Sequence, residues 1–304
     1  MPELPDVTVY VECLRRRVAG GRLERIRLKS PFLLRSVDPP LRATEGRDVH
    51  GVERMGKRIV IRLEGDLALV LHLMVAGRLH WGARDAALPG RIGLAAFDFD
   101  GGTLLFTEAG SRKRASLHCV AGEAALRSLD PGGIEPLACS PEEFAAALAG
   151  GDRTLKRALT DPRGLSGIGN AYSDEILHRA RLSPLQRTSR LTPEETARLH
   201  EATRTVLQEW TERLRREAGE GWPQKVTAFR DGMAVHGRFG KPCPVCGTAV
   251  QRIVRAENEV DYCPRCQTGG KVFADRALSK LLGDDWPRTI EGWEELHHRG
   301  EDPA

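Results

Sequence analysis

The chain opens Met1-Pro2-Glu3-Leu4-Pro5-Asp6. An initiator methionine is ordinarily trimmed ahead of a small residue, and trimming would leave Pro2 as a terminal secondary amine beside the carboxylate of Glu3. An α-amino group titrates at about 7.7–8.0, so part of it is neutral near pH 7. A neutral secondary amine can attack an electrophilic sugar carbon and form an iminium, by the logic of a Schiff-base lysine. The adjacent carboxylate can move the protons. The plainer reading makes Pro5 the first helical residue and Pro2 mere leader sequence.

A second chemistry lies near the other end. Cys243-Pro244-Val245-Cys246 and Cys263-Pro264-Arg265-Cys266 each place two thiolates with two residues between them. A β-like segment separates the pairs, and the spacing is that of a tetrahedral four-cysteine zinc ribbon. Gly247 permits the tight knuckle after the first pair. Four protein ligands fill the coordination shell, so the one Zn2+ expected here is structural and not catalytic. Two matched pairs argue against a redox dithiol. Cys13, Cys119 and Cys139 have no partner spacing and read as core residues.

The elements that must position these groups follow from pattern. Val7, Val11, Leu14 and Val18 recur at helical spacing over Asp6 to Val18, and Gly20-Gly21 stops that helix. From Leu23 to about His118 the pattern becomes short β-rich runs. Ile59 to Leu63, a Glu64-Gly65-Asp66 turn and Leu67 to Leu73 read as a hairpin, as do Ala95 to Phe99 and Thr103 to Phe106 around Asp100-Gly101-Gly102. So many short strands imply a sandwich or barrel. Asp130 to Pro136 is a Pro/Gly linker and a domain boundary. Ser140-Pro141-Glu142-Glu143 and Thr192-Pro193-Glu194-Glu195 are capping boxes that each open a helix. Gly219 to Pro223 ends the helical part.

Between helical segments, Gly164, Gly167 and Gly169 allow the backbone to turn tightly and approach another surface. Amide groups at such a turn, next to a helix start, suit a phosphate. An ordinary helix connection would use the same glycines.

Bulk properties are permissive. The 304 residues suffice for two or three domains with real cores. A formal net charge of +4 allows nucleic acid without arguing for it. Local basic clusters occur at Arg15-Arg16-Arg17, Arg112-Lys113-Arg114 and Arg213 to Arg216, and the stretch from Asp284 onward is acidic. No apolar run approaches the ~20 residues that span a bilayer. No secretory leader is visible. Seven cysteines, four in paired spacing, fit a reducing cytoplasm better than a disulfide framework.

Four ordered blocks resemble the formamidopyrimidine-DNA glycosylase and endonuclease VIII family. They are Pro2-Glu3-Leu4-Pro5-Asp6, where the family has Glu last, then Gly56-Lys57-Arg58, then Gly167 to Glu175, then the cysteine segment ending Cys263-Pro264-Arg265-Cys266-Gln267. Together they span residues 1–267. The resemblance implies an α+β multi-domain fold. It would comprise an N-terminal β-sandwich flanked by helices (1–130), a helix–two-turn–helix domain (138–222), a zinc ribbon (223–273) and a C-terminal helix with an acidic tail (274–304).

It further implies a bifunctional glycosylase and abasic-site lyase of base excision repair, working through β/δ-elimination. Pro2 would be the nucleophile, Glu3 the proton carrier and Lys57 a cationic clamp on phosphate. His72 and Asn170 would contact DNA phosphates. His72 closes an apolar strand, which is also the setting of a core histidine. The partner implied is damaged double-stranded DNA, abasic or single-stranded DNA included, with the protein a monomer at the nucleoid.

The chain departs from the family at several points. The ribbon arginine that contacts phosphates is replaced by Asn258, between Glu257 and Glu259, with Arg252 and Arg255 the nearby substitutes. The void-filling methionine aligns with Val75, next to Met74. No Arg–Phe pair occurs near Ser111 to Ala115, and Val226 to Gly240 is short for a base-capping loop. These departures keep a second expectation in play, a damaged- or abasic-DNA binding protein with weak or no turnover. A third, a zinc-ribbon module without chemistry, explains only the C-terminal part. A free Pro–Glu terminus separates the first from both.

Overall fold

The computed structural model describes residues 1–255, 258–273 and 276–298. The chain divides into two compact units, one formed by Met1–Glu135 with Leu207–Ala228, the other by Pro136–Val206 with Phe229–Ala304.

The first unit begins with α1 (Leu4–Val18). Antiparallel strands follow: β1 (Arg22–Leu28), β2 (Arg47–Met55), β3 (Arg58–Leu63), β4 (Leu67–His72), β5 (Gly77–Gly82), β6 (Gly93–Phe99), β7 (Gly102–Glu108) and β8 (Ser116–Ala121), then α2 (Glu123–Ser128). The sheet order is β5-β7-β6-β1-β2-β3-β4-β8. β1 and β2 pair only at Arg22↔Asp48 and Leu23↔Arg47, and there the sheet folds over. Phe97, Phe99, Leu104 and Phe106 of one half then share a core with Ile59, Ile61, Leu69 and Leu117 of the other, closed by Val7, Tyr10 and Leu14 of α1. This is the expected β-sandwich. The other face of β3, β4 and β8 buries Val60, Val70 and Val120 under Leu126 of α2.

Both expected hairpins form. Asp66 takes a positive φ of 56° after Gly65 at 78°, the twist that a tight antiparallel connection needs.

The second unit contains α3 (Pro141–Ala149), α4 (Leu155–Thr160), α5 (Asn170–Ala180) and the first half of α6 (Pro193–Ala218). It continues with the hairpin of β9 (Gln251–Arg255) and β10 (Asn258–Tyr262), α7 (Pro264–Thr268), α8 (Arg276–Leu282) and α9 (Ile290–His298). Both capping boxes sit where the sequence places them: Glu143 N–H donates to Ser140 Oγ at 3.2 Å and Glu195 N–H to Thr192 Oγ1 at 3.2 Å. Residues 299–304 of the acidic tail lie outside the described residues, as does Glu257.

Candidate active site and metal centre

α1 starts at Leu4, two residues before the periodicity begins, because Glu3 occupies its N-cap. Glu3 N–H donates to the Asp6 carboxylate at 2.9 Å, so Asp6 closes a capping box with Glu3. Glu3 and Asp6 are 2% and 4% exposed, which fixes the Glu3 carboxylate at the positive end of the helix dipole. Pro2 is buried behind Met1. The amino-terminal ammonium titrates below its ordinary value, chiefly through burial. Glu3 and Asp6 oppose the shift, while Arg78 and Lys57 reinforce it. Trimming Met1 would move that amine one residue along, to Pro2.

Lys57 sits in the tight β2–β3 turn after Gly56, whose φ is 62°. Burial lowers its pKa and the nearby Glu3 carboxylate raises it. Register carries His72 to the same end of the sheet: Arg58 pairs with His72, and His72 with Ser116. Burial first, then the charges of Arg58, Lys57 and His118, pushes the His72 imidazole down to about 4. His72 is therefore neutral at pH 7, an N–H donor and not a cation, until an anion arrives. The structure thus gathers Glu3, Lys57 and the amino terminus, and sets His72 beside Lys57. Asn170 and the four cysteines belong to the second unit.

Sequence reasoning leaves Arg58, Arg78 and His118 unassigned, although they shape the field here. The alternation of Ser116 to Cys119 in β8 is a signal for His118, whereas β3, buried on both faces, offers none for Arg58. After β4, Met74 adopts φ 52° and Gly77 N–H donates to Leu73 O at 2.9 Å. A Cβ on Gly77 would meet Leu73 O at 2.2 Å, so only glycine closes this turn, whose tip is Val75, 55% exposed. The neighbouring 109–115 loop is held by buried Glu108, which accepts from the backbone of Arg114 and Ala115 at 3.0 and 3.2 Å. Arg112 and Arg114 are left exposed on it.

The other basic clusters are spent on structure. Arg15 donates to Val52 O, Arg16 to Gly219 O and Arg17 to Glu220 O and Gly221 O. Arg17 also lies over the Trp222 and Trp81 rings, 5.5 and 5.9 Å from their centroids. Arg215 pairs with Glu12 at 2.7 Å.

In the second unit the glycine turn delivers Asn170 to the first position of α5, half-buried, after Gly167 at φ 81° and Gly169 at the N-cap. Beneath it Lys156 Nζ donates to Asn170 O at 2.6 Å and to Asp174 Oδ1 at 2.5 Å. Asp174 Oδ2 accepts from His236 Nδ1 at 2.8 Å. Burial alone would lower the His236 pKa, but the hydrogen bond to Asp174 and the charges of Asp174 and Asp261 raise it. Both Asp174 oxygens are thus already engaged, one by Lys156 and one by His236. Glu175, also buried, accepts from the amides of Ala234, Val235 and His236 at 2.7, 2.9 and 3.0 Å. Arg252, a candidate replacement for the ribbon arginine, is engaged by Glu259 at 3.3 Å and by the Phe239 ring at 4.6 Å. The side chains of Arg255 and Asn258 are outside those described.

The four ribbon cysteines converge. Cys246 Sγ lies 3.4 Å from Cys263 Sγ, and Cys243 Sγ 4.0 Å from Cys266 Sγ. A tetrahedron with Zn–S bonds of about 2.3 Å has S···S edges of about 3.8 Å, so the observed pairs bracket the required spacing. Gly247 turns the first knuckle at φ 76°, and the Val245 and Cys266 amides point at Cys243 and Cys263 sulfurs at 3.5 Å. Four thiolates suit zinc and leave no open position.

Comparison with known proteins accounts for each part. Residues 1–115 match the formamidopyrimidine-DNA glycosylase N-terminal domain, 133–217 its H2TH domain, and 240–269 the zinc finger found in FPG and IleRS. The formamidopyrimidine-DNA glycosylase of Symbiobacterium thermophilum is 36% identical, over 88% of this chain and 89% of its own length. The chain belongs to the formamidopyrimidine-DNA glycosylase family. Its Cys243, Cys246, Cys263 and Cys266 form the structural zinc site of that family's finger. The crystal structure of the MutM (Fpg) protein from Thermus thermophilus is 35% identical and covers 88% of this chain and 98% of its own, with TM-score 0.73. Lactococcus lactis formamidopyrimidine-DNA glycosylase, solved with DNA containing an abasic site, gives TM-score 0.76 over 88% of this chain and 99% of its own. At 24% identity it speaks for the fold alone. In this chain Val75 stands at the exposed turn tip and Arg112-Lys113-Arg114 lie in the adjoining loop. Among the described residues no helix is long and apolar enough to cross a membrane.

Proposed function

We propose that the protein is a bifunctional DNA glycosylase and abasic-site lyase of base excision repair, with Pro2 as its nucleophile once Met1 is removed. One observation carries the reading. The terminal amine, on Met1 before trimming, is buried within electrostatic reach of Glu3 and Lys57, and burial holds it below its ordinary pKa. A buried amine that sheds its proton easily is the form that attacks carbon.

The substrate is DNA bearing an oxidised base or an abasic site, flipped out so that C1′ is accessible. Pro2 nitrogen bonds to C1′ as the bond to the base breaks, its proton leaving with the base, and Glu3 then protonates O4′ so that the C1′–O4′ bond opens and the N–C1′ link becomes an iminium. The resulting iminium acidifies the C2′ proton. Its removal expels the 3′ phosphate, and a second elimination expels the 5′ phosphate. Lys57 holds a phosphate near the break as a cationic clamp. Neutral His72 and the Asn170 turn each contact a DNA phosphate. The protein acts in the reducing cytoplasm at the nucleoid, as a monomer.

A second reading, an abasic-DNA binding protein with weak turnover, is favoured by the wedge: valine stands at the turn tip and no aromatic residue stands among Arg112, Lys113 and Arg114. Base extrusion from an intact duplex costs a few kcal/mol and is what a poor wedge impairs most. Abasic-site cleavage is accordingly expected to outpace removal of 8-oxoguanine from a matched duplex.

Borohydride trapping tests both readings. Wild-type protein should lack Met1 by mass and crosslink to abasic DNA through Pro2. Equal cleavage by Pro2→Gly, or by a form that retains Met1, would exclude Pro2 as nucleophile. Binding without any trapped product would select the second reading.

A further inference from the structure

The helix that presents Asn170 is fastened to the zinc ribbon by three of its side chains. Asp174 holds His236, and Glu175 holds the amides of residues 234–236. One turn beyond Asp174, on the same face of α5, His178 Nε2 lies 3.3 Å from Cys243 Sγ. We propose that His178 is an outer-sphere ligand of the zinc, donating its Nε2–H to the Cys243 thiolate, so that metal loading sets the order of α5.

The direction of the bond follows from the metal. A zinc-bound cysteine is a thiolate and carries no proton, so the hydrogen must sit on the ring, at Nε2. His178 and Cys243 are 6% and 3% exposed, so water does not replace the contact. The fastenings at Asp174 and Glu175 need no metal. The one at His178 does. Loss of zinc releases the Cys243 sulfur from the position that the four-ligand shell fixes, and the 3.3 Å contact is lost with it. Outer partners of this kind orient a ligand and tune its electrons. A histidine that merely filled space would leave the sulfur electronically unchanged.

The inference needs the ribbon zinc but not the glycosylase reading. Its readouts are metal-based, so either can fail alone. Full-length His178→Phe keeps an aromatic ring and loses the N–H. It should hold zinc about 10–100-fold more weakly against a chromophoric chelator. In the cobalt-substituted protein, its sulfur-to-cobalt charge-transfer band should move to lower energy, because an unbonded thiolate gives up electrons more readily. His178→Gln, which restores an N–H donor, should recover part of both effects. In zinc-loaded wild type, 1H–15N spectra should place the ring proton on Nε2. Hydrogen exchange in α5 should quicken when zinc is removed. Wild-type zinc affinity and cobalt spectrum in His178→Phe would overturn the proposal. So would a ring proton on Nδ1, or α5 protection indifferent to zinc. If His178→Phe does not fold, the wild-type spectra and His178→Gln decide.

Discussion

Acidification from about pH 7 to about pH 5 should destabilise the protein partly through His72, and replacing that residue should remove this share. The His72 pKa is about 4 in the fold, held down by burial and then by Arg58, Lys57 and His118. In the unfolded chain it returns to about 6.5. Between those values the unfolded state binds more protons, so stability rises with pH there. The contribution is fully present above about pH 6.5 and is lost as pH falls toward about 4. Linkage over that interval gives about 2 kcal/mol by pH 5. Because the ring is half-buried, solvent screening reduces this to about 1 kcal/mol. His178 is also pushed down, to about 4 by burial, so the pH dependence of the whole protein is not diagnostic. The difference between wild type and His72→Gln is. Urea unfolding at the two pH values, followed by the fluorescence of core Trp81 and Trp222, should show the variant losing about 1 kcal/mol less on acidification. Identical pH dependence in the two proteins would refute the reasoning. An arriving phosphate should reverse the shift, so calorimetry at about pH 5 should detect proton uptake when wild type binds abasic DNA, and less in the variant.

Three further outcomes follow from the geometry. Cys263→Ser should lower zinc content and loosen the ribbon core of Val235 and Val250, whereas metal analysis giving about zero zinc per folded wild-type chain would contradict the four-cysteine site. Asn170→Ala should weaken binding to all DNA sequences alike while leaving the salt slope unchanged, because a neutral amide displaces no counterion, and unchanged affinity would remove Asn170 from the phosphate contacts. Glu175→Ala strips three amides, two of them buried, of their acceptor and should cost about 3–5 kcal/mol by urea unfolding, with Glu175→Gln costing less; a loss below about 1 kcal/mol would show the amides are satisfied otherwise.

What the sequence determines by itself is what neighbouring residues decide. Two Cys-x-x-Cys pairs, turn residues such as Gly65-Asp66 and the boxes at Ser140 and Thr192 act over four or five positions, and each forms where local chemistry demands. Periodicity finds α1 but starts it at Asp6. Only the fold reveals that Glu3 caps the helix, because the reciprocal bond to Asp6 is stabilised in a buried setting. The basic run at Arg15 to Arg17 reads equally well as a DNA face or a solvated face. Tertiary structure turns it toward Val52 and the 219–221 backbone. His72 is ambiguous in sequence because its charge depends on Arg58 across the strand, on Lys57 in the preceding turn and on His118 of β8, and register alone brings these together. His178 and Cys243, 65 residues apart, carry no mutual signal at all. Their meeting exists only once α5 and the ribbon have packed, since a hydrogen bond has a reach of a few ångströms in space and none along the chain.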